Sequence, residues 1–337
     1  MENYIGMDAH SKTCMFVVVN AKGQETISQR INTSEGEILR FIGSLKGKKH
    51  LTFEECQLSR WLHVVTKDQV DDLIVCNPCF IQKRTGPKND HLDALHLAQQ
   101  LRGGFLTPVF HDDGFLFDLR KIVTSYENLI NDGIRAKNRY KALFIARGIC
   151  LKGTKPYANT KLIEQLDSAS QYVARKLIDQ VQYFDDLRGE YKILFEKNMR
   201  SNATIAALTS LPGVSAVRAN IIAAVVVDPR RFENKNKFWS YCMLVKHDQQ
   251  SDGRSYGKIT IFGRTTLKNV FMGATLTIFE RDCELRRYYE QMLSRGLNPR
   301  AARKNLARKL AAISLAIMKT GKPYKEQGIK PVKTKLN

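Results

Sequence analysis

The sequence predicts an α/β N-terminal domain, a helical coiled-coil middle and a mainly α C-terminal domain that ends in a basic tail. Three observations carry that reading. Over residues 1–110, three short β-type runs precede strands that alternate with helices, the pattern of a mixed sheet covered by helices. Over residues 115–198, apolar residues recur mostly every three or four positions. Over residues 208–225, LTSLPGVSAVRANIIAAV sets a tight Leu-Pro-Gly-Val turn between two helical runs, a helix-hairpin-helix signature.

Taken in order, Tyr4 to Asp8 is a strand ending in a carboxylate, and Cys14 to Val19 (CMFVVV) is a strand of buried type. Ala21, Lys22 and Gly23 make a turn, and a third strand runs from about Thr26 to Ile31. Gly36 to Leu45 has helical periodicity. His50 to Glu54 (HLTFE) is a strand that again ends in a carboxylate. Leu58 to Lys67 is helical, Asp72 to Cys76 is a strand broken by Asn77 and Pro78, and Asp90 to Leu101 is a strongly patterned helix. Beyond it, Tyr126, Ile130, Ile134, Tyr140 and Phe144, then Leu166, Val173, Leu177, Val181 and Phe184, fit two packed helices broken near Gly153 to Pro156. After the Leu-Pro-Gly-Val turn comes a Gly- and Ser-rich stretch, DQQSDGRSYGK, and then a long helical segment from Thr265. The expected domains are 1–112, 113–198, 199–322 and a basic tail, 323–337.

Composition narrows the function. The chain has 337 residues, of which 43% are hydrophobic, which excludes wholesale disorder. No run approaches the ~18 apolar residues of a membrane span, and MENYIGMDAH lacks the layout of a signal peptide. Seven scattered cysteines point to a reducing, cytoplasmic setting, here nucleoid-associated. The net charge of +21 calls for a polyanionic partner, nucleic acid rather than a membrane surface. Residues 291–337 hold twelve Lys/Arg against one acid, Glu326. Within them Arg300, Arg303 and Lys304 stand at i, i+3, i+4, followed by Arg308 and Lys309, a stripe that suits phosphates. The Gly213 turn offers free backbone N–H groups at a helix start to a phosphate as well.

Four carboxylates stand out by position. Asp8 and Glu54 end strands, and Asp90 and Asp93 share one helix face. Strand ends of open α/β sheets are where active sites form, and Mg²⁺, with Mn²⁺ as the alternative, takes carboxylate and phosphate oxygens. Two such ions ~3.5–4 Å apart stabilise the attacking and leaving oxygens of a phosphoryl transfer. The competing reading of Asp90 is a helix cap. Cys76 and Cys79 form a lone CxxC without the second pair that zinc needs. Tyr288 and Tyr289 read as packing or base-stacking residues, and there is no P-loop.

The succession YIGMD, HLTFE, VCNP and KNDHLDALHLA resembles the N-terminal domain of the DEDD transposases, the Piv-related insertion-sequence recombinases also called bridge-RNA-guided recombinases. LTSLPGVSAVRANIIAAV and the Gly/Ser-rich stretch after it resemble their C-terminal transposase domain, so the likeness spans about residues 3–320. It implies a RuvC/RNase H-like first domain with Asp8, Glu54, Asp90 and Asp93 as metal ligands. Glu55 is adjacent to Glu54, but strand alternation and the match of HLTFE favour Glu54. The resemblance also implies a catalytic serine at Ser251, with Ser255 as its competitor; by residue type alone Ser251 is a turn serine beside glycine.

This chain departs from the family pattern at three places. It has Glu55-Cys56-Gln57 where a Gly-Thr pair often follows the catalytic Glu, Lys246-His247 where Pro-Arg often precedes the serine, and Asp252 between Ser251 and Gly253. The implied activity is a Mg²⁺-dependent DNA recombinase of an insertion sequence. It would work through a phosphoserine intermediate on donor and target DNA, with a structured guide RNA, as a homodimer or tetramer. A RuvC-like nuclease using water, a site-specific invertase of the same family, and a non-catalytic nucleic-acid-binding protein are the alternatives.

Overall fold

The computed structural model describes residues 1–81, 89–151, 153, 157, 160–251, 254–259 and 263–326, apart from the side chains of residues 160, 247, 250, 251 and 258. The chain falls into two compact units, Met1–Asp113 and Gly114–Asn337.

The first unit is built on strands β1 (Glu2–Ala9), β2 (Thr13–Val19), β3 (Glu25–Asn32), β4 (Lys48–Glu54) and β5 (Asp72–Cys76). Their order in the sheet is β3-β2-β1-β4-β5. The β1–β2 and β2–β3 pairs are antiparallel, whereas β1–β4 and β4–β5 are parallel. The parallel pairs are joined by helices α1 (Glu35–Ser44) and α2 (Ser59–Thr66), and α3 (Asp90–Gly103) follows β5. This mixed sheet is compatible with a RuvC-like domain.

Strand alternation explains the layers. Ile5, Met7, Phe16, Val18, Leu51 and Phe53 face Ile38, Phe41 and Ile42 of α1 on one side. Met15, Val17 and Val19 face Ala94 and Ala98 of α3 on the other. Covered on both faces, β2 carries an unbroken apolar run, as a sandwiched strand should. Edge strand β3 is exposed except at Ile31.

In the second unit, α4 (Phe115–Ile145) and α5 (Ser168–Ser201) pack along each other. Ser125 and Tyr191 share a hydroxyl hydrogen bond of 2.7 Å, and Tyr126 packs edge-on to Phe195. Tyr140, Phe144, Leu166, Leu177 and Val181 are buried as their spacing predicts, but Ile134 and Val173 are about half exposed and lie outside that seam. Helices α6 (Ala203–Thr209), α7 (Ala216–Val226) and α8 (Lys235–Tyr241) follow. The Gly/Ser-rich stretch is a hairpin of β6 (His247–Ser251) and β7 (Arg254–Ile259), with residues 252–253 outside the described set.

The long helix expected from Thr265 is three helices: α9 (Thr265–Phe279), α10 (Glu284–Ser294) and α11 (Pro299–Thr320). Gly296, in the left-handed region at φ +81°, and Asn298, which caps α11 ahead of Pro299 at its first turn, make the second break. Leu208, Ile222, Phe238, Phe271, Leu306 and Leu310 form the centre of this unit's core. Among the described residues, no helix is long and apolar enough to cross a membrane.

Candidate active site

Backbone register places the strand-end carboxylates. Met7 of β1 pairs with Phe53 of β4, and both side chains are buried on the α1 side. The next residue on each strand, Asp8 and Glu54, therefore turns to the opposite face, where α3 lies. Both sit at the C-terminal ends of adjacent parallel strands. Helix α3 is seated on that face at Gly6, where a Cβ would lie 2.0 Å from the Ala94 carbonyl oxygen and 2.6 Å from the Ala98 nitrogen. Ala94 and Ala98 are themselves fully buried. Small residues on both surfaces allow this approach, and it sets the first turn of α3, with Asp90 and Asp93, beside Asp8.

That turn is capped by Asn89, whose side chain accepts from the His91 N–H at 2.9 Å. Asp90 is thus not the cap, and its carboxylate turns to basic partners instead. Arg30 Nη1 lies 2.8 Å from Asp90 Oδ2, and His10 Nε2 lies 3.7 Å from Asp90 Oδ1. His10 Nε2 is also 3.1 Å from Asp8 Oδ2. One ligand atom from each of Asp8, His10 and Asp90 falls within 4.8 Å of the others.

Burial pushes the Asp8 carboxyl up from its ordinary range. His10 opposes that shift, and the nearby charges of Asp90 and Asp93 add to it. The structure thus brings Asp8, Asp90 and Asp93 into mutual electrostatic reach. Glu54 is exposed at the neighbouring strand end on the same face, outside the tight group. Glu55 is engaged elsewhere, with its Oε2 2.6 Å from His111 Nε2.

His10 and Arg30 are the two residues that the sequence reading did not single out. His10 follows Asp8 by two positions, which is a local signal. Arg30 has none: it reaches the site because Asp8 pairs with Met15 across β1–β2 and Met15 pairs with Arg30 across β2–β3. Clustered carboxylate oxygens, one of them on a partly buried Asp8 among like charges, match the donor preference of a hard divalent cation.

The other site residues lie in the second unit. Ser251 ends β6, its backbone paired with Arg254, and its side chain lies outside the described residues. Ser255 is exposed on β7. Gly213 is buried at φ +83°, and a Cβ there would lie 2.6 Å from the Ala274 carbonyl oxygen. Its lack of a side chain accommodates α9. Its carbonyl accepts from Arg218 at 2.6 Å.

The Arg300, Arg303, Lys304 stripe is split by tertiary structure. Arg300 is exposed, but Arg303 donates to Thr275 Oγ1 and to the Met272 carbonyl, both at 2.9 Å. Arg308 donates to the Leu244 carbonyl and to Asn305 Oδ1, while Lys309 is exposed above the Tyr288 ring. Lys304 is half-buried. Cys76 is buried and its thiol is pushed up to about 11 by desolvation, so it stays protonated near neutral pH, while Cys79 is exposed.

Two family profiles match the chain. A DEDD transposase profile of IS110 type, described as a transposase, covers residues 5–145, and with it all four carboxylates. A second, described as the transposase IS116/IS110/IS902 family, covers residues 205–290, from α6 through the β6–β7 hairpin into α10. No curated protein matches the chain. Two profiles of one kind of enzyme, in the expected order and over both units, leave a single family: the chain belongs to the DEDD transposases of IS110 type, DNA-processing enzymes of the transposase and recombinase class.

Proposed function

We propose that the protein cuts and rejoins donor and target DNA of an insertion sequence, using Mg²⁺ held by Asp8, Glu54, Asp90 and Asp93. The observation that carries the reading is the approach of Asp8 and Asp90, within electrostatic reach of Asp93, at the C-terminal end of β1. A bound divalent cation supplies positive charge to the phosphate oxygens and to the attacking and leaving oxygens. Asp8 and Asp90 would exchange their present hold on His10 and Arg30 for it. Those two side chains would then be free to face the DNA backbone.

In the same reading Ser251 is the nucleophile. Its Oγ bonds to a backbone phosphorus as the bond to one deoxyribose oxygen breaks, and the serine proton ends on the departing oxygen. A second strand's terminal hydroxyl then attacks the phosphoserine, and its proton returns to Oγ. The carboxylate and serine units would come from different subunits of a dimer or tetramer paired through α4 and α5. A structured RNA from the element would pair with both DNAs, while basic residues grip its backbone without reading sequence.

The test is strand cleavage on the element's own ends by wild-type protein, Asp90→Asn and Ser251→Ala. The proposal expects loss in both variants and a covalent protein–DNA adduct in the wild type alone. Cleavage that survives Ser251→Ala but not Asp90→Asn would replace the recombinase with a nuclease using water. Sequencing the RNA that copurifies with protein expressed beside its native flanking DNA tests the guide: a discrete RNA supports it, and random cellular RNA refutes it.

A further inference from the structure

A groove of about 440 Å³ opens between α8, α10 and α11, away from every residue assigned above except Arg308 and Lys309. Two aromatic side chains, Trp239 and Tyr288, stand in its wall with Lys235, Lys309 and Arg308. Among its described lining residues there is no carboxylate. Its volume falls within the range of small-ligand sites, roughly 300–1,000 Å³. The chemistry selects for a ligand that is flat and apolar at one end and anionic at the other.

The parts of this site are held from behind. Trp239 donates its indole N–H to the Arg308 carbonyl at 2.8 Å, which fixes the ring plane against α11. Arg308 donates to the Leu244 carbonyl at 2.9 Å and to Asn305 Oδ1 at 3.0 Å. Asn305 lines the groove beside it, and its amide nitrogen is a donor. Tyr288 is half-buried, whereas its neighbour Tyr289 is packed on Phe279 with ring centroids 4.6 Å apart. Both tyrosines pack at the edge of the core, and Tyr288 also lines the groove. Each ring is covered by one lysine: Lys235 Nζ lies 5.6 Å from the Trp239 ring and Lys309 Nζ 5.8 Å from that of Tyr288. Both lysines are exposed and sit near the outer limit of a cation–π contact, so an incoming ring displaces them at small cost.

We infer that this groove binds one unpaired nucleotide of a single-stranded segment. The base stacks on Trp239 and Tyr288 and takes a hydrogen bond from Asn305, while the flanking phosphates draw Lys235 and Lys309 off the rings. Aromatic stacking with a basic surround is how proteins hold single strands with little sequence preference. The inference rests on the chain's acting on nucleic acid, and it is independent of the carboxylates and of Ser251. The strand is either displaced DNA or an unpaired stretch of RNA. Both present the same base and phosphate.

The test uses the full-length protein with fluorescent octanucleotides of oligo(dT) and oligo(U), and a short DNA duplex as control. Tyr288→Leu and, separately, Trp239→Leu should weaken binding of an octanucleotide by roughly 5- to 150-fold, the span of about 1–3 kcal/mol per stacked base. Duplex affinity should stay unchanged. Because Trp239 also packs on the core, a Trp61→Phe protein, which leaves Trp239 as the one tryptophan, supplies a readout without altering the groove: saturating oligonucleotide should quench its emission. The tighter-bound of the two octanucleotides names the source of the strand. Unchanged octanucleotide affinity in Tyr288→Leu, or no quenching of Trp239 at saturation, would overturn the inference. Equal weakening of duplex and single strand would do the same, since it would reduce the groove to a general phosphate contact.

Discussion

Replacing Gly6 by alanine tests how the candidate site is assembled without touching any of its side chains. The new Cβ would lie 2.0 Å from the Ala94 carbonyl oxygen, and ordinary contact begins near 3.4 Å, so one surface has to retreat by up to about 1.4 Å. Strand β1 cannot retreat, because it is bonded on both sides, to β2 and to β4. Helix α3 must lift, and Asp90 and Asp93 move with it. Overpacking of this kind costs about 1–3 kcal/mol. A misplacement of about 1 Å at reacting groups is enough for roughly a 100-fold loss of rate.

The assay is metal-dependent strand cleavage alongside thermal unfolding and DNA affinity. The expected result is a rate down by about two orders of magnitude, a modest loss of stability and unaltered affinity. Gly43→Ala is the control. Nothing lies within 4 Å of a Cβ there, in the last turn of α1, and the helix gains up to about 1 kcal/mol. If Gly6→Ala melts and cleaves like the wild type, α3 is not seated through Gly6 and the account of how Asp90 reaches Asp8 is wrong.

Three further outcomes are expected. Asp90→Asn abolishes cleavage but preserves DNA affinity and its salt dependence, measured by a filter-binding titration over ionic strength; a parallel fall in affinity would make Asp90 a structural residue. Asn220→Ala destabilises the second unit by about 1–3 kcal/mol in denaturant unfolding, because fully buried Asn220 donates to the Phe195 and Ala216 carbonyls and accepts from Asn198. Asp167→Ala weakens the start of α5 in a pH-dependent way, seen in thermal melts across the acid range. The backbone N–H of Ser170, the Ser170 side chain and Arg147 hold the Asp167 carboxyl well below the usual carboxylate range. Its stabilisation is therefore present above the unfolded-chain value and disappears as pH falls through the folded one, so wild type and variant converge in strong acid.

The parts of the first unit that were legible in the sequence are those governed by local patterning. Asp72 to Cys76 is a strand with the expected bounds, and the ends of β1 and β4 carry Asp8 and Glu54 as alternation requires. The break between α10 and α11 was also local, written in Gly296, Asn298 and Pro299, and was masked by helical periodicity on both sides of it. Arg30 was not legible at all. It lies 22 residues from Asp8 and meets Asp90 only through two successive antiparallel registers, a relation that no window along the chain contains.

The basic residues of the C-terminal region show the same division in energetic terms. Along the helix Arg300, Arg303 and Lys304 look equivalent, and a count of charge treats them so. In the fold Arg303 satisfies two acceptors on α9, and Arg308 ties α11 to Leu244 and bonds Asn305 within α11, so neither retains a full complement of donors for a phosphate. Lys235 adds a single charge to that count, yet it stands over Trp239 at the mouth of an aromatic groove. Net charge of +21 says that a polyanion binds. Which cations are spent on the fold decides where it binds. On that ground the groove beside Lys235 and Lys309, rather than the Arg303 stripe, is the better place on this unit to look for nucleic acid.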